Sequence, residues 1–178
     1  MEHGVVKSDE EIFVGVHPHH IDLNKKIIEE SKSFPFVMGQ KNHDGSISNV
    51  RAPKTSPARI TSRSIELVYG WIEILLNQRY KNWNFQVYAS WLAKYSKDQH
   101  TVRHHHIPAS FSFVYFVKSP KGSSPLILTT SRKRIKPDEG KVVIFPGSMV
   151  HHVPKNKCDG RITLAGNILP DMSPYLSK

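Results

Sequence analysis

After Lys81 the hydrophobic period of this chain changes from that of a helix to that of a strand, and this constrains the fold more than any other feature. Before the change, "IELVYGWIEILLN" carries Ile65, Val68, Trp71, Ile72 and Leu75 at helical spacing, so one stripe of the segment is buried. Thr61 or Ser62 supplies a cap, and the helix runs to about Asn77. An earlier segment, "IDLNKKIIEESK", sets Ile21, Ile27 and Ile28 among charges and predicts a shorter amphipathic helix. After the change, "SFSFVYFVK" puts Phe111, Phe113, Tyr115 and Val117 on one face of a strand. "FQVYASWLAKY", "PLILTT", "KVVIFPG" and "RITLAGNIL" are further short strands bounded by Gly, Pro and Lys. Helices come first and strands follow. The pattern predicts an α+β, mainly β fold: a sandwich or barrel with N-terminal helices packed on one side. Residues 38–58, rich in Gly, Asn, Ser and Pro, predict a long loop.

Length and charge narrow the class. At 178 residues, with no internal repeat, the chain is expected to form one domain, helical over about 20–80 and β over about 83–170. The longest apolar runs, FVYFV and VVIF, are far too short to span a bilayer, so no membrane partner is expected. Cys158 is the only cysteine, which rules out an intrachain disulfide. With no secretory pattern at the N-terminus, a cytoplasmic setting is expected. A net charge of +10 favours acidic or phosphorylated partners, and nucleic acid is among them. The charge is dispersed, however. Its densest run, "SRKRIKP" at 131–137, predicts a solvated loop.

Eleven histidines are present, and most fall in three clusters: "HPHH" from His17, "HHH" from His104, and His151 with His152. Neutral imidazole is the commonest metal ligand in proteins. A mononuclear non-haem iron site needs ligands on one face and open positions on the other. In an extended segment residues i and i+2 point the same way, so His104 and His106 can face one ion while His105 points away. His151 is the natural third ligand, and His152 alternates with it and faces elsewhere. "HPHH" has no comparable strand behind it and predicts a loop or helix start. Ten residues after His151 stands Arg161, which opens a predicted strand. A guanidinium recognises a carboxylate bidentately, and Thr163 shares its face of the strand. A ligand histidine and a carboxylate anchor on adjacent strands make a consistent pocket.

These elements resemble, in order and spacing, the 2-oxoglutarate and Fe(II)-dependent oxygenases, in particular a small bacterial and phage subgroup. "SWLAKYSKD" supplies a tryptophan-bearing strand with Trp91. "HHHIPASFSFVYF" supplies H-x-H followed by a strand with Ser112. "GKVVIFPGSMVHHVPKN" leads to the third histidine, and "RITLAGN" ends in Asn167. The resemblance covers roughly residues 48–168. It implies a double-stranded β-helix, or jelly roll, with inward side chains around a central pocket. It implies Fe(II) on His104, His106 and His151, and 2-oxoglutarate held by Arg161 and Thr163. It further implies hydroxylation of a C–H bond by O2, with release of succinate and CO2, on an unidentified substrate. Trp91, Ser112, Tyr115, His152 and Asn167 are candidate pocket residues. Two departures stand out. Most members of the superfamily have a carboxylate where this chain has His106, and the subgroup has Gly where this chain has Phe113. Two rivals are kept in view: a three-histidine cupin-type dioxygenase that needs no 2-oxoglutarate, and a basic nucleic-acid-binding module.

Overall fold

The computed structural model describes residues 10–39, 41, 47–56 and 58–172. In chain order the elements are β1 (Phe13–Val16), α1 (His20–Glu30), β2 (Val50–Arg51), α2 (Arg63–Arg79) and β3 (Phe85–Tyr95). They continue with β4 (His100–His104), β5 (Phe111–Lys118), β6 (Leu126–Leu128), β7 (Lys133–Ile135), β8 (Lys141–Pro146), β9 (His151–Val153) and β10 (Arg161–Pro170). Among the described residues they form two antiparallel sheets. The larger has the order β1-β8-β5-β10-β3, and the smaller β2-β4-β9-β6-β7. From β3 onward the chain passes from sheet to sheet, with only β6 and β7 consecutive in one. That winding is the double-stranded β-helix which the resemblance implies.

Strand alternation sorts the side chains of the larger sheet into two layers. Phe113, Tyr115 and Val117 of β5, with Ile162, Leu164 and Ile168 of β10, face the helices. There they meet Leu23 and Ile27 of α1 and Ile65, Val68, Tyr69, Ile72 and Leu76 of α2. Burying such side chains stabilises by about 1.5–3 kcal/mol each. Phe116 of β5 and Val143 and Phe145 of β8 point the other way, toward Leu126 and Leu128 of the smaller sheet. The space between the sheets is therefore apolar at one end. At the other end it holds the polar groups described below.

Helix α2 begins where expected, with the Ser62 side chain accepting from the Ile65 backbone N–H at 3.3 Å. Glu30, at the end of α1, reinforces the same cap by accepting from both the Ser64 backbone N–H and the Ser64 hydroxyl. The expected amphipathic helix α1 buries Ile27 and packs Ile28 against the core. Ile21 is exposed, whereas Leu23, Asn24 and Ile27 face the sheet. Asn24 is tolerated inside because its Oδ1 accepts from the Tyr115 hydroxyl at 2.7 Å. "HPHH" forms a turn leading into α1, and it serves as a joint. The His17 ring packs against Trp71 at 4.9 Å, and its backbone N–H donates to the Gly140 carbonyl. Gly140 has φ +79°, and a Cβ there would lie 2.2 Å from the His20 ring, so only glycine fits.

Four strands went unread in the sequence, namely β1, β2, β4 and β7. The run at 131–137 is not a plain loop, because Lys133–Ile135 pairs with β6 at the edge of the smaller sheet. The predicted loop at 38–58 also contains pairing: β2 joins β4, and Lys54 bridges to Val37 and to Ala93 of β3. Residues 40, 42–46 and 57 of that loop lie outside the described residues.

Candidate metal centre

β4 ends at His104, and His104 is the direct cross-strand partner of His151 at the start of β9. This register places the two rings 4.2 Å apart. His106 lies beyond the end of the strand, with its backbone N–H donating to the Gly147 carbonyl at 2.7 Å. That contact folds the chain back, so its ring sits 4.7 Å from His104 and 5.1 Å from His151. The candidate ligand nitrogens of the three residues lie within 4.8 Å of one another. His105 points out to solvent.

The protein also orients two of the rings. Nδ1 of His104 is 2.8 Å from the Val102 carbonyl, and Nδ1 of His151 is 2.9 Å from the Met149 carbonyl. A carbonyl only accepts, so each Nδ1 carries the proton and each Nε2 keeps its lone pair for a metal. Burial, together with the neighbouring His104, holds His151 down to about 3. Burial also holds His106 well below the ordinary range, aided by His104 and His151, and it lowers His104. All three rings are therefore neutral at pH 7, the state that binds metal.

The histidines open onto a cavity of about 40 Å³ between the sheets. Arg161 and Thr163, on the inner face of β10, line it with Trp91 and Tyr95 of β3. Arg161 is wholly buried, at 0% exposure. Its guanidinium lies over the rings of Tyr95, at 4.8 Å, and Phe116, at 5.8 Å. Its Nε and Nη1 have no hydrogen-bond partner. Burial pulls its pKa down from the ordinary value, but a guanidinium stays protonated in proteins. Among the described residues no Asp or Glu lines the cavity. An uncompensated buried cation is costly and calls for an anion.

No protein-family model matches the sequence, and no curated protein does either. Solved structures resemble the fold closely. A viral collagen prolyl hydroxylase from Paramecium bursaria Chlorella virus-1, in complex with 2-oxoglutarate, aligns with TM-score 0.68 at 14% identity, over 88% of this chain and 94% of that one. A prolyl-4-hydroxylase from Pseudomonas putida aligns with TM-score 0.65 at 14% identity, over 89% and 92%. A Trichoplax adhaerens prolyl hydroxylase, bound to a peptide fragment of hypoxia inducible factor, gives 0.68 at 12%, over 94% and 87%. This chain shares the double-stranded β-helix fold of these structures.

Within that fold the predicted site residues separate into those inside the cavity and those outside it. His104, His106, His151, Arg161, Thr163, Trp91 and Ser112 line it. Asn167 does not, but its Oδ1 accepts from the Ser112 hydroxyl at 3.0 Å and so orients that side chain. Tyr115 is a correction: it points into the helix-side core and bonds Asn24, because odd-numbered residues of β5 face the helices. His152 is another. It lies on the outer face of the smaller sheet beside Arg103, Arg132 and Arg134, with Nδ1 3.1 Å from the Thr129 hydroxyl. His151 and Arg161 sit on strands of opposite sheets, not on adjacent strands, so the cavity is gripped from both sides. Phe113 borders the cavity, but its ring turns to Tyr69 in the helix-side core, at 6.1 Å.

Among the residues in or beside the site that escaped the sequence reading, three matter most. Tyr95 was recoverable, since it shares the face of Trp91 at even spacing along β3. Phe145, 4.7 Å from the His151 ring, was recoverable in the same way from β8. Lys54 carried no signal. It stands in the predicted loop, yet it is only 4% exposed, and its ammonium lies 5.3 Å from the centre of the Trp91 ring.

Proposed function

We propose that this chain is a 2-oxoglutarate- and Fe(II)-dependent oxygenase that oxidises a C–H bond, usually by hydroxylation. The observation that carries this is Arg161: a wholly buried guanidinium with two unsatisfied N–H groups, in the same cavity as three neutral imidazoles. Three imidazoles fit a divalent transition metal, and the guanidinium fits the distal carboxylate of a small dicarboxylate. When bound, Fe(II) and 2-oxoglutarate supply the oxidising chemistry: O2 is reduced, and 2-oxoglutarate leaves as succinate and CO2.

The chain's own residues do the rest. His104, His106 and His151 hold the metal, the first and last through Nε2, since their Nδ1 atoms are committed to carbonyls. Arg161 binds the distal carboxylate, and the Thr163 hydroxyl adds a second contact to it. Tyr95 and Phe116 stack on the guanidinium and keep water from it. Phe145 and Trp91 pack against His151 and His106 and fix their planes. The rest of the cavity is left for O2 and substrate.

One observation favours a second class. Three neutral ligands are also the set of a cupin-type dioxygenase, which works without 2-oxoglutarate. Arg161 separates the two, because that chemistry has no use for a buried carboxylate anchor. The test is calorimetric titration of 2-oxoglutarate into anaerobic, metal-loaded protein, followed by a succinate assay in air over a substrate panel. Prolyl peptides head the panel, given the activities of the structural neighbours. Binding with about one 2-oxoglutarate per metal, and succinate formation, are expected. Absence of binding overturns the proposal in favour of the cupin class.

A further inference from the structure

Lys54 is physically out of place unless something anionic meets it. Lysine is almost never buried without a partner. Here the side chain is 4% exposed, and among the described residues no group accepts a hydrogen bond or forms an ion pair with its ammonium. Burial lowers its pKa, with no carboxylate nearby to oppose the shift. Its one polar contact is the face of Trp91. The backbone is pinned on both sides, by the bridges to Val37 and Ala93, so the side chain is placed rather than adrift. Trp91 in turn packs against the His106 ring, at 5.8 Å, which sets Lys54 beside the metal centre.

The position differs from that of the Arg161 anchor. Each cation stands over an aromatic ring of β3, Arg161 over Tyr95 and Lys54 over Trp91. Tyr95 pairs with Arg161 across the sheet, and Trp91 pairs with Ala165. The two rings are thus four residues apart on one strand face, roughly 13 Å at about 3.3 Å per residue. A five-carbon diacid is roughly half that long at C–C bonds of about 1.5 Å. The charge balance points the same way: among the described residues no carboxylate lines the cavity.

We propose that Lys54 is the substrate's anchor: its ammonium, held over Trp91, binds a carboxylate carried by the substrate beside the metal centre. The proposal rests on the oxygenase reading for what happens next to that carboxylate, but not for the anion site itself. A carboxylate fits better than a phosphate dianion, because a single ammonium balances a single charge.

The test uses full-length protein loaded with Co(II) and saturated with 2-oxoglutarate. The probes are N-acetyl-L-proline, its primary amide and inorganic phosphate, read by calorimetry and by the Co(II) visible spectrum. Wild type should bind the acid at least tenfold more tightly than the amide. Lys54→Met should erase that preference and leave metal content and 2-oxoglutarate affinity within about twofold. Lys54→Arg, which keeps the charge, should retain most of the preference. Lys54→Met should melt no lower than wild type, since it removes an unpaired buried charge; Lys54→Gln repeats the comparison with a polar side chain. Several results would overturn the proposal. These are equal binding of acid and amide by wild type, an intact preference in both Lys54→Met and Lys54→Gln, and tighter binding of phosphate than of the acid. A loss of 2-oxoglutarate affinity in Lys54→Met as large as that in an Arg161 variant would also overturn it, by assigning the ammonium to the cosubstrate. If wild type binds no 2-oxoglutarate, the oxygenase reading fails alone. The same probes on Co(II)-loaded protein then decide the anion site by the same criteria.

Discussion

Replacing Arg161 with methionine is expected to move two quantities in opposite directions. The side chain is wholly buried, and neither Nε nor Nη1 has a partner. Without ligand, the substitution removes an uncompensated charge from the interior. Exchanging buried ionic groups for apolar ones of similar volume is neutral or stabilising by about 1–4 kcal/mol. Loss of stacking on Tyr95 and Phe116 offsets about 0.5–1 kcal/mol for each ring. The net is a gain of up to about 3 kcal/mol, or a rise in Tm of up to about 12 °C at this chain length. With ligand the sign reverses. A carboxylate left in the cavity without its partner costs about 3–5 kcal/mol. At about 1.4 kcal/mol per tenfold change, 2-oxoglutarate should bind roughly two to three and a half orders of magnitude more weakly. Arg161→Lys should recover part of this, since it restores the charge but not the planar fork. Differential scanning fluorimetry of metal-free protein gives the first quantity, and anaerobic calorimetry of metal-loaded protein the second. A metal-free Tm several degrees below wild type would mean that the guanidinium is a structural strut. Wild-type affinity for 2-oxoglutarate in Arg161→Met would refute the anchor.

The other predictions concern the histidines, one cap and one core hydrogen bond. Alanine at His104, His106 or His151 should abolish metal retention, measured by elemental analysis after anaerobic reconstitution, whereas His105→Ala and His152→Ala should keep most of it. Equal loss at His105 and His104 would show that the ligand register is wrong. Glu30 should give a pH-dependent contribution to stability. Burial opposes its ionisation, but hydrogen bonds from Ser62 and Ser64 outweigh burial and hold its carboxyl below the ordinary range. The contribution is therefore full above the unfolded carboxyl pKa of about 4.3 and is lost as pH falls through the folded value. Glu30→Gln should cost about 1 kcal/mol by urea titration at pH 7, with the gap to wild type closing below about pH 4. Tyr115→Phe leaves Asn24 Oδ1 buried without its donor and should cost about 1–3 kcal/mol in the same assay. Its 2-oxoglutarate affinity should stay at the wild-type value, because Tyr115 faces away from the cavity; a weakened affinity would contradict that placement.

Much of this molecule was legible before any coordinates. The change of period at Lys81 separated helices from strands, because burial of one face imposes 3.6-residue spacing on a helix and alternation on a strand. Ser62 announced the start of α2, since a hydroxyl there satisfies an otherwise free backbone N–H. The H-x-H pair, the later His151 and the arginine before a strand were visible as a set. What failed were the elements whose signal is weak or shared with loops. β7 is three residues long and mostly charged, because it lies at a sheet edge where nothing covers its outer face. β4 carries one fully buried side chain, Thr101, so it shows no apolar alternation.

Alternation within β5 determined that Ser112 and Tyr115 lie on opposite faces of the strand, and likewise His151 and His152 in β9. It did not determine which face looks into the cavity. That was decided by the layers: α1 and α2 cover one side of the larger sheet, so Tyr115 went to the helices and Ser112 to the metal centre. Local sequence likewise determined that Arg161 opens a strand, while only the winding of the chain set that strand opposite β9. Lys54 is the extreme case. A lysine in a Pro- and Ser-rich stretch reads as solvated, and nothing local contradicts that. Its burial arises from pairing with β3, an element more than thirty residues away in sequence, and contacts at such separation leave no mark on the periodicity of either segment.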